Sequence, residues 1–131
     1  MPRRLWRDCE GNAAIEFGLV LPLLVVVLVG IIDYGHIYFT RLSMTNAARE
    51  GARVGVTMPE SDAQTAAVAK ASSYLAQAGV NAVVTATAPS QANPTVTLTV
   101  TIDPFEPLIG LIPTPGQLSV SASMRWEYAT P

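Results

Sequence analysis

One carboxylate sits where the surrounding residues offer it no opposite charge. Residues 11–32 read GNAAIEFGLVLPLLVVVLVGII, and Glu16 is their single charge. An acid in so apolar a segment is costly and implies a use. It either lies at a membrane edge and reaches headgroup water, or it neutralises a cation. Other chemistry is thinly represented. Cys9 is the only cysteine and His36 the only histidine, so neither a disulfide nor a histidine metal site can be assembled from the chain. Asp103 and Glu106 form the nearest acidic pair, but they flank a proline-rich turn, and a turn role accounts for them more simply than acid and base catalysis. With no phosphate-cradling glycine loop and no metal-ligand cluster, the expectation is a non-enzymatic protein without cofactor, metal or small-molecule substrate.

The element that must position Glu16 is a long helix. From Phe17 to Ile32 there is no charged residue. Sixteen helical residues cover about 24 Å, slightly short of a hydrocarbon core, whereas a start at Asn12 gives about 31 Å, a full span. Phe17, five Leu, five Val and two Ile, at roughly −0.3 to −0.6 kcal/mol each, outweigh a central acid at about +3 kcal/mol. The segment is therefore expected to enter a bilayer with Glu16 near one face. Arg3, Arg4 and Arg7 precede it and the next base is Arg41, so the positive-inside rule keeps the N-terminus cytoplasmic and exports everything after Asp33. No small-x-small signal-peptidase site follows the run, which is expected to stay attached.

With 131 residues the chain allows one anchoring helix and one small domain. Beyond Gly11 there are five bases, Arg41, Arg49, Arg53, Lys70 and Arg125, against eight acids. A mildly acidic domain without a basic patch excludes nucleic acid as a partner.

The helix is expected to continue from Asn12 to about Val56, bent at Pro22 and weakened at Gly30 and Gly35. Beyond the apolar run, Tyr34, Ile37, Tyr38 and Leu42 make a stripe at helical spacing that predicts the face covering a domain core. Pro59 to Asp62 end this region, and Ser61 or Asp62 is expected to cap a second helix running to Gln77 or Ala78, with Ala67, Ala71, Tyr74, Leu75 and Ala78 on its buried face. Strands follow at 80–88, 95–102 and from Leu118. The second alternates strictly, Val96, Leu98, Val100 and Ile102 against Thr95, Thr97, Thr99 and Thr101, as a half-buried antiparallel strand requires. In the third, Leu118, Val120, Ala122, Met124 and Trp126 oppose Ser119, Ser121, Ser123 and Arg125. Residues 103–117, DPFEPLIGLIPTPGQ, are too rich in proline to pair as a central strand. Phe105, Leu108, Ile109, Leu111 and Ile112 make this loop apolar, so it either packs back over the sheet, the preferred reading, or meets a partner or membrane surface. His36, just past the apolar run, reads as an interfacial polar residue.

A short basic leader, Gly11, four residues, Glu16 and the aromatic Phe17 together resemble the type IV prepilin processing site. The resemblance implies that a membrane aspartyl peptidase, the prepilin peptidase, cuts between Gly11 and Asn12 on the cytoplasmic side, and that Glu16 and Phe17 serve subunit assembly. Glycine suits such a cut because it lets the backbone enter an enzyme cleft in extended form. The new ammonium of Asn12 would be costly unpaired in lipid, and Glu16 of a neighbouring subunit would neutralise it. Cys9 would leave with the leader.

A second resemblance is narrower. The span ends GIIDYGHIYFTR and is followed at 46–53 by NAAREGAR, which is similar to the TadE-like family of pilin-related proteins in tight-adherence (Flp-type) pilus systems. It implies a type IV pilin-like α+β fold divided into a leader at 1–11, a transmembrane helix at 12–32 and an exported domain at 33–131. It also implies a minor pilin or pseudopilin in the bacterial inner membrane, with other pilin-like subunits as partners. Within the octet, Ala47, Ala48, Gly51 and Ala52 permit a close backbone approach. Arg49, Glu50 and Arg53 pair at helical spacing, either as an ordinary solvated face or, with Asn46 and Gly51, as a subunit contact. The competing reading is a single-pass anchored binding or adhesive module that enters no filament and has no need of the Gly11 to Glu16 spacing.

Overall fold

The computed structural model describes the backbone of residues 5–111 and 113–127 and the side chains from Asn12 onward. Arg3, Arg4, the Arg7 side chain and Ile112 lie outside the described residues. The elements run α1 (Leu5–Val56), α2 (Glu60–Gln77), β1 (Val83–Ala86), β2 (Thr95–Ile102) and β3 (Leu118–Arg125). The first helix is longer than expected, since it already includes residues 5–11, and it continues through Pro22.

The first half of α1 is exposed on every side from Asn12 through Leu28. From Gly30 a buried face develops, comprising Gly30, Asp33, Thr40, Met44, Ala47, Ala48, Gly51, Ala52 and Gly55. This corrects the stripe expected from the sequence. Ile37 does pack against the core, but Tyr34, Tyr38 and Leu42 are 55, 72 and 48% exposed. The helix turns its small residues inward because close packing of α2 requires them. A Cβ on Gly51 would lie 2.7 Å from the Ala67 carbonyl oxygen and 2.8 Å from Leu98 Cδ2, and one on Gly55 would lie 3.0 Å from Ala67 Cβ. Opposite them α2 presents Ala63, Ala67, Ala71 and Leu75, all buried. Backbones this close pack by dispersion over many small contacts, and one added methyl is felt.

The start of α2 also differs from expectation. Pro59, with φ −55°, occupies the N-cap, no side chain caps the helix, and Ser61 and Asp62 fall inside it. The Pro59 carbonyl accepts from Asp62 N (3.0 Å) and Ala63 N (2.9 Å), while Glu60 and Asp62 place acids in the first turn, where the helix dipole favours them. At the other end Gly79 takes φ +69°. There Val80 N donates to the Leu75 carbonyl and Gly79 N to the Ala76 carbonyl, the paired bonds of a Schellman termination.

The sheet has the order β1-β2-β3, antiparallel throughout. Val96, Leu98 and Val100 of β2 are buried and its threonines half-exposed; on β3, Leu118 is buried and the serines are exposed. The alternation read from the sequence is thus the alternation observed. β1 is shorter than expected, four residues in place of nine. The helices cover one face of the sheet, α1 over β2 and β3 and α2 mainly over β1. Past β3 the chain is fastened to the end of α1, where Trp126 Nε1 donates to the Met58 carbonyl (2.9 Å) and Glu127 N to the Val56 carbonyl (3.1 Å).

Candidate functional site

Two regions of α1 carry the candidate residues, and a third region emerges only in three dimensions. At the N-terminal end, Gly11 lies inside the helix. The Asn12 amide donates through Nδ2 to Glu16 Oε1 at 3.0 Å, one helical turn on. The helix therefore sets residue 12 and the Glu16 carboxylate on one face, an exposed one. Phe17 is 61% exposed and lies within an apolar surface that this chain leaves uncovered. Among the described residues one helix is long and apolar enough to cross a membrane, and it contains this surface.

In the octet at 46–53 the residues divide between two faces. Gly51 is buried beneath α2, so its close approach serves the chain's own core. Arg49 and Arg53 point outward, and Asn46 and Glu50 are half-exposed. Arg53 Nη2 pairs with Glu50 Oε2 at 3.1 Å in an exposed i,i+3 bridge, an arrangement contributing at most about 1 kcal/mol. Tyr34, Tyr38, Leu42, Asn46, Arg49 and Arg53 succeed one another at helical spacing. The exposed tyrosine face and the exposed part of the octet thus form one strip that continues outward from the apolar half of the helix.

The third region lies at Asp33, which the sequence marked only as the end of the apolar run. Its carboxylate is fully buried. Oδ1 accepts from Ile109 N at 2.9 Å and Oδ2 from Gly110 N at 3.3 Å. The proline-rich loop thus folds back on the helix as well as beside the sheet. One turn up, His36 stacks on buried Phe105, with ring centroids 5.8 Å apart. The base of the loop is closed by Phe105 N to the Gly116 carbonyl (2.7 Å) and by Gln117 Nε2 to Asp103 Oδ2 (3.0 Å). Asp103 is therefore tied into the turn at the base of the loop. A shallow cleft between this base and α1 is lined by His36, Thr40, Asn81, Pro104 and Glu106. No group of three or more His, Cys, Asp or Glu among the described residues could hold a metal ion. A signal for Asp33 existed in the sequence: it precedes Ile37, Met44 and Ala48 at core spacing, and a carboxylate on such a face needs donors from elsewhere in the chain.

A long N-terminal apolar helix whose second half packs, with a shorter helix, on a three-stranded antiparallel sheet is the α+β layout of type IV pilin-like proteins. Within that class, residues 11–53, from Gly11 through the octet, match the family model described as TadE-like protein. The match covers about a third of the chain. No curated protein and no solved structure matches the chain.

Proposed function

We propose that the chain is a non-enzymatic minor pilin or pseudopilin that assembles into, or helps to assemble, a tight-adherence (Flp-type) pilus. Residues 1–11 are a cytoplasmic leader, 12–32 span the inner membrane and 33–131 are exported. A prepilin peptidase cuts after Gly11, and the new Asn12 ammonium pairs with Glu16 of an adjacent pilin-like subunit. The observation that carries this reading is the placement of Glu16. It is the only charge in a helical surface exposed on all sides, one turn from residue 12, at the start of the segment that matches the TadE-like family.

A helix bare on every face through Leu28 suits lipid before assembly and neighbouring helices after it. The strip from Tyr34 to Arg53 extends that contact surface beyond the membrane, with Asn46, Arg49, Glu50 and Arg53 as its polar end. Gly51 stays inside the subunit.

Glu16 provides the test. Glu16→Ala should insert and be cleaved as wild type does yet fail to co-purify or crosslink with pilin-like subunits, because removing one partner leaves the other charge uncompensated at a cost of about 3 to 5 kcal/mol. Glu16→Gln should lose most of the same contact. Wild-type assembly and piliation by both variants would make Glu16 an edge acid and favour a membrane-anchored binding module.

A further inference from the structure

We infer that the tip of the proline-rich loop is a second membrane contact: Leu108, Ile109 and Leu111 dip into the outer headgroup and acyl boundary beside the point where α1 leaves the bilayer. The inference rests on α1 spanning the membrane, as proposed above, and is independent of filament assembly.

Height is the first argument. Asp33 immediately follows the apolar run, and the run from Asn12 to Ile32 matches the thickness of a hydrocarbon core, about 31 Å. By holding Ile109 N and Gly110 N, the Asp33 carboxylate fixes the loop tip at the outer boundary. The covered face of α1 starts still lower, at half-buried Val29 and buried Gly30.

Exposure is the second. Leu108, Ile109 and Leu111 are 64, 50 and 60% exposed, while Phe105 of the same loop is buried against His36. The loop therefore has an inner apolar anchor and an outer apolar surface, and Asp33, which holds its tip, directly follows the exposed Ile31 and Ile32 of the helix. The tip is thus tied to the helix at the end of the surface assigned to lipid.

Backbone chemistry is the third. Non-helical chain near hydrocarbon is tolerated only if its N–H groups are satisfied or absent. Pro104, Pro107, Pro113 and Pro115 carry no N–H donor, and two of the donors at the tip, Ile109 N and Gly110 N, are bound by Asp33. The loop's charges lie on the water side: Asp103 closes the base with Gln117, and Glu106 lines the cleft beside Thr40, two turns above Asp33. Exposed Tyr34 stands next to Asp33, where aromatic residues favour the interface.

The test uses the full chain with Cys9→Ser and single cysteines, one at a time, at Leu108, Ile109, Leu111, Val25 and Ala92. The last is exposed in the turn between β1 and β2, near Pro94, whose carbonyl accepts from Trp126 N at the far end of α1. Each variant carries a nitroxide label and is reconstituted into phosphatidylethanolamine and phosphatidylglycerol vesicles. Relaxation by oxygen is compared with relaxation by a water-soluble nickel chelate. Labels at 108, 109 and 111 should be relaxed more by oxygen, as at Val25, and the order should reverse at Ala92. Nickel-dominated relaxation at all three loop sites, with Val25 oxygen-dominated, overturns the lipid contact and leaves the span standing. Loop labels shielded from both reagents overturn it in favour of a second copy of the chain as occupant. Nickel access at Val25 removes the span itself, and the inference with it.

Discussion

Asp33 is the residue whose environment departs furthest from its sequence context. A carboxylate at the end of an apolar run would ordinarily face water; here it is enclosed and satisfied by two backbone N–H groups from a loop 76 and 77 residues away. Bonds of this charge-assisted kind are the stronger ones. Removing the acceptor leaves two part-buried donors without a partner, at about 1 to 3 kcal/mol for a group left unsatisfied. Asp33→Ala should therefore lower the thermal midpoint of the full chain in detergent and speed proteolysis within residues 103–117, and Asp33→Asn should lose less. An unchanged midpoint and cleavage pattern in both variants would mean that the loop is held mainly by Phe105 and His36. Glu16 is the opposite case, a carboxylate exposed in apolar surroundings and answered, among the described residues, by the Asn12 amide.

At the scale of elements, the contact between α1 and α2 depends on small residues. Gly51→Val would drive a side chain into the Ala67 carbonyl and Leu98, and overpacking of this kind costs about 1 to 3 kcal/mol. The expected result is a lowered midpoint in thermal or urea unfolding, without change at Arg49→Ala, whose side chain is exposed. Equal stability of Gly51→Val and wild type would contradict the packing described. The sequence makes part of this layer plain. The Thr and Val alternation of β2 leaves one choice of face, and Gly79 after an alanine-rich stretch marks the end of α2. It conceals the face of α1, because Tyr34, Tyr38 and Leu42 are bulky and apolar while the residues that pack are Ala47, Ala48, Gly51 and Ala52. Bulk attracts the eye in a periodicity reading, but interhelical distance decided the packing. The Asp33 contact was hidden for a different reason: it joins segments distant in sequence, and no local pattern encodes such a pair. In the octet the close-approach residues and the charged residues were both legible, but not that they serve opposite faces. The start of α2 differs from the expectation because Pro59, which has no side-chain acceptor, occupies the N-cap and Ser61 and Asp62 fall inside the first turn.

At the scale of the molecule, one long helix links an uncovered apolar surface to a domain whose sheet is shielded on one face only. The topology proposed here has the domain outside, in keeping with the three arginines before the apolar run. A reporter enzyme fused after Pro131 should be active only in the exported compartment; activity in the cytoplasm would invert the topology and defeat the pilus role.

The central claim is that this chain is a prepilin-like precursor, and the N-terminus of the mature protein tests it most directly. In cells that contain a prepilin peptidase, mass measurement and N-terminal sequencing of the membrane-extracted protein should give a chain beginning at Asn12, and Gly11→Leu should leave the precursor intact. Recovery of wild type with residues 1–11 still attached, in cells shown to process another prepilin, would contradict the account.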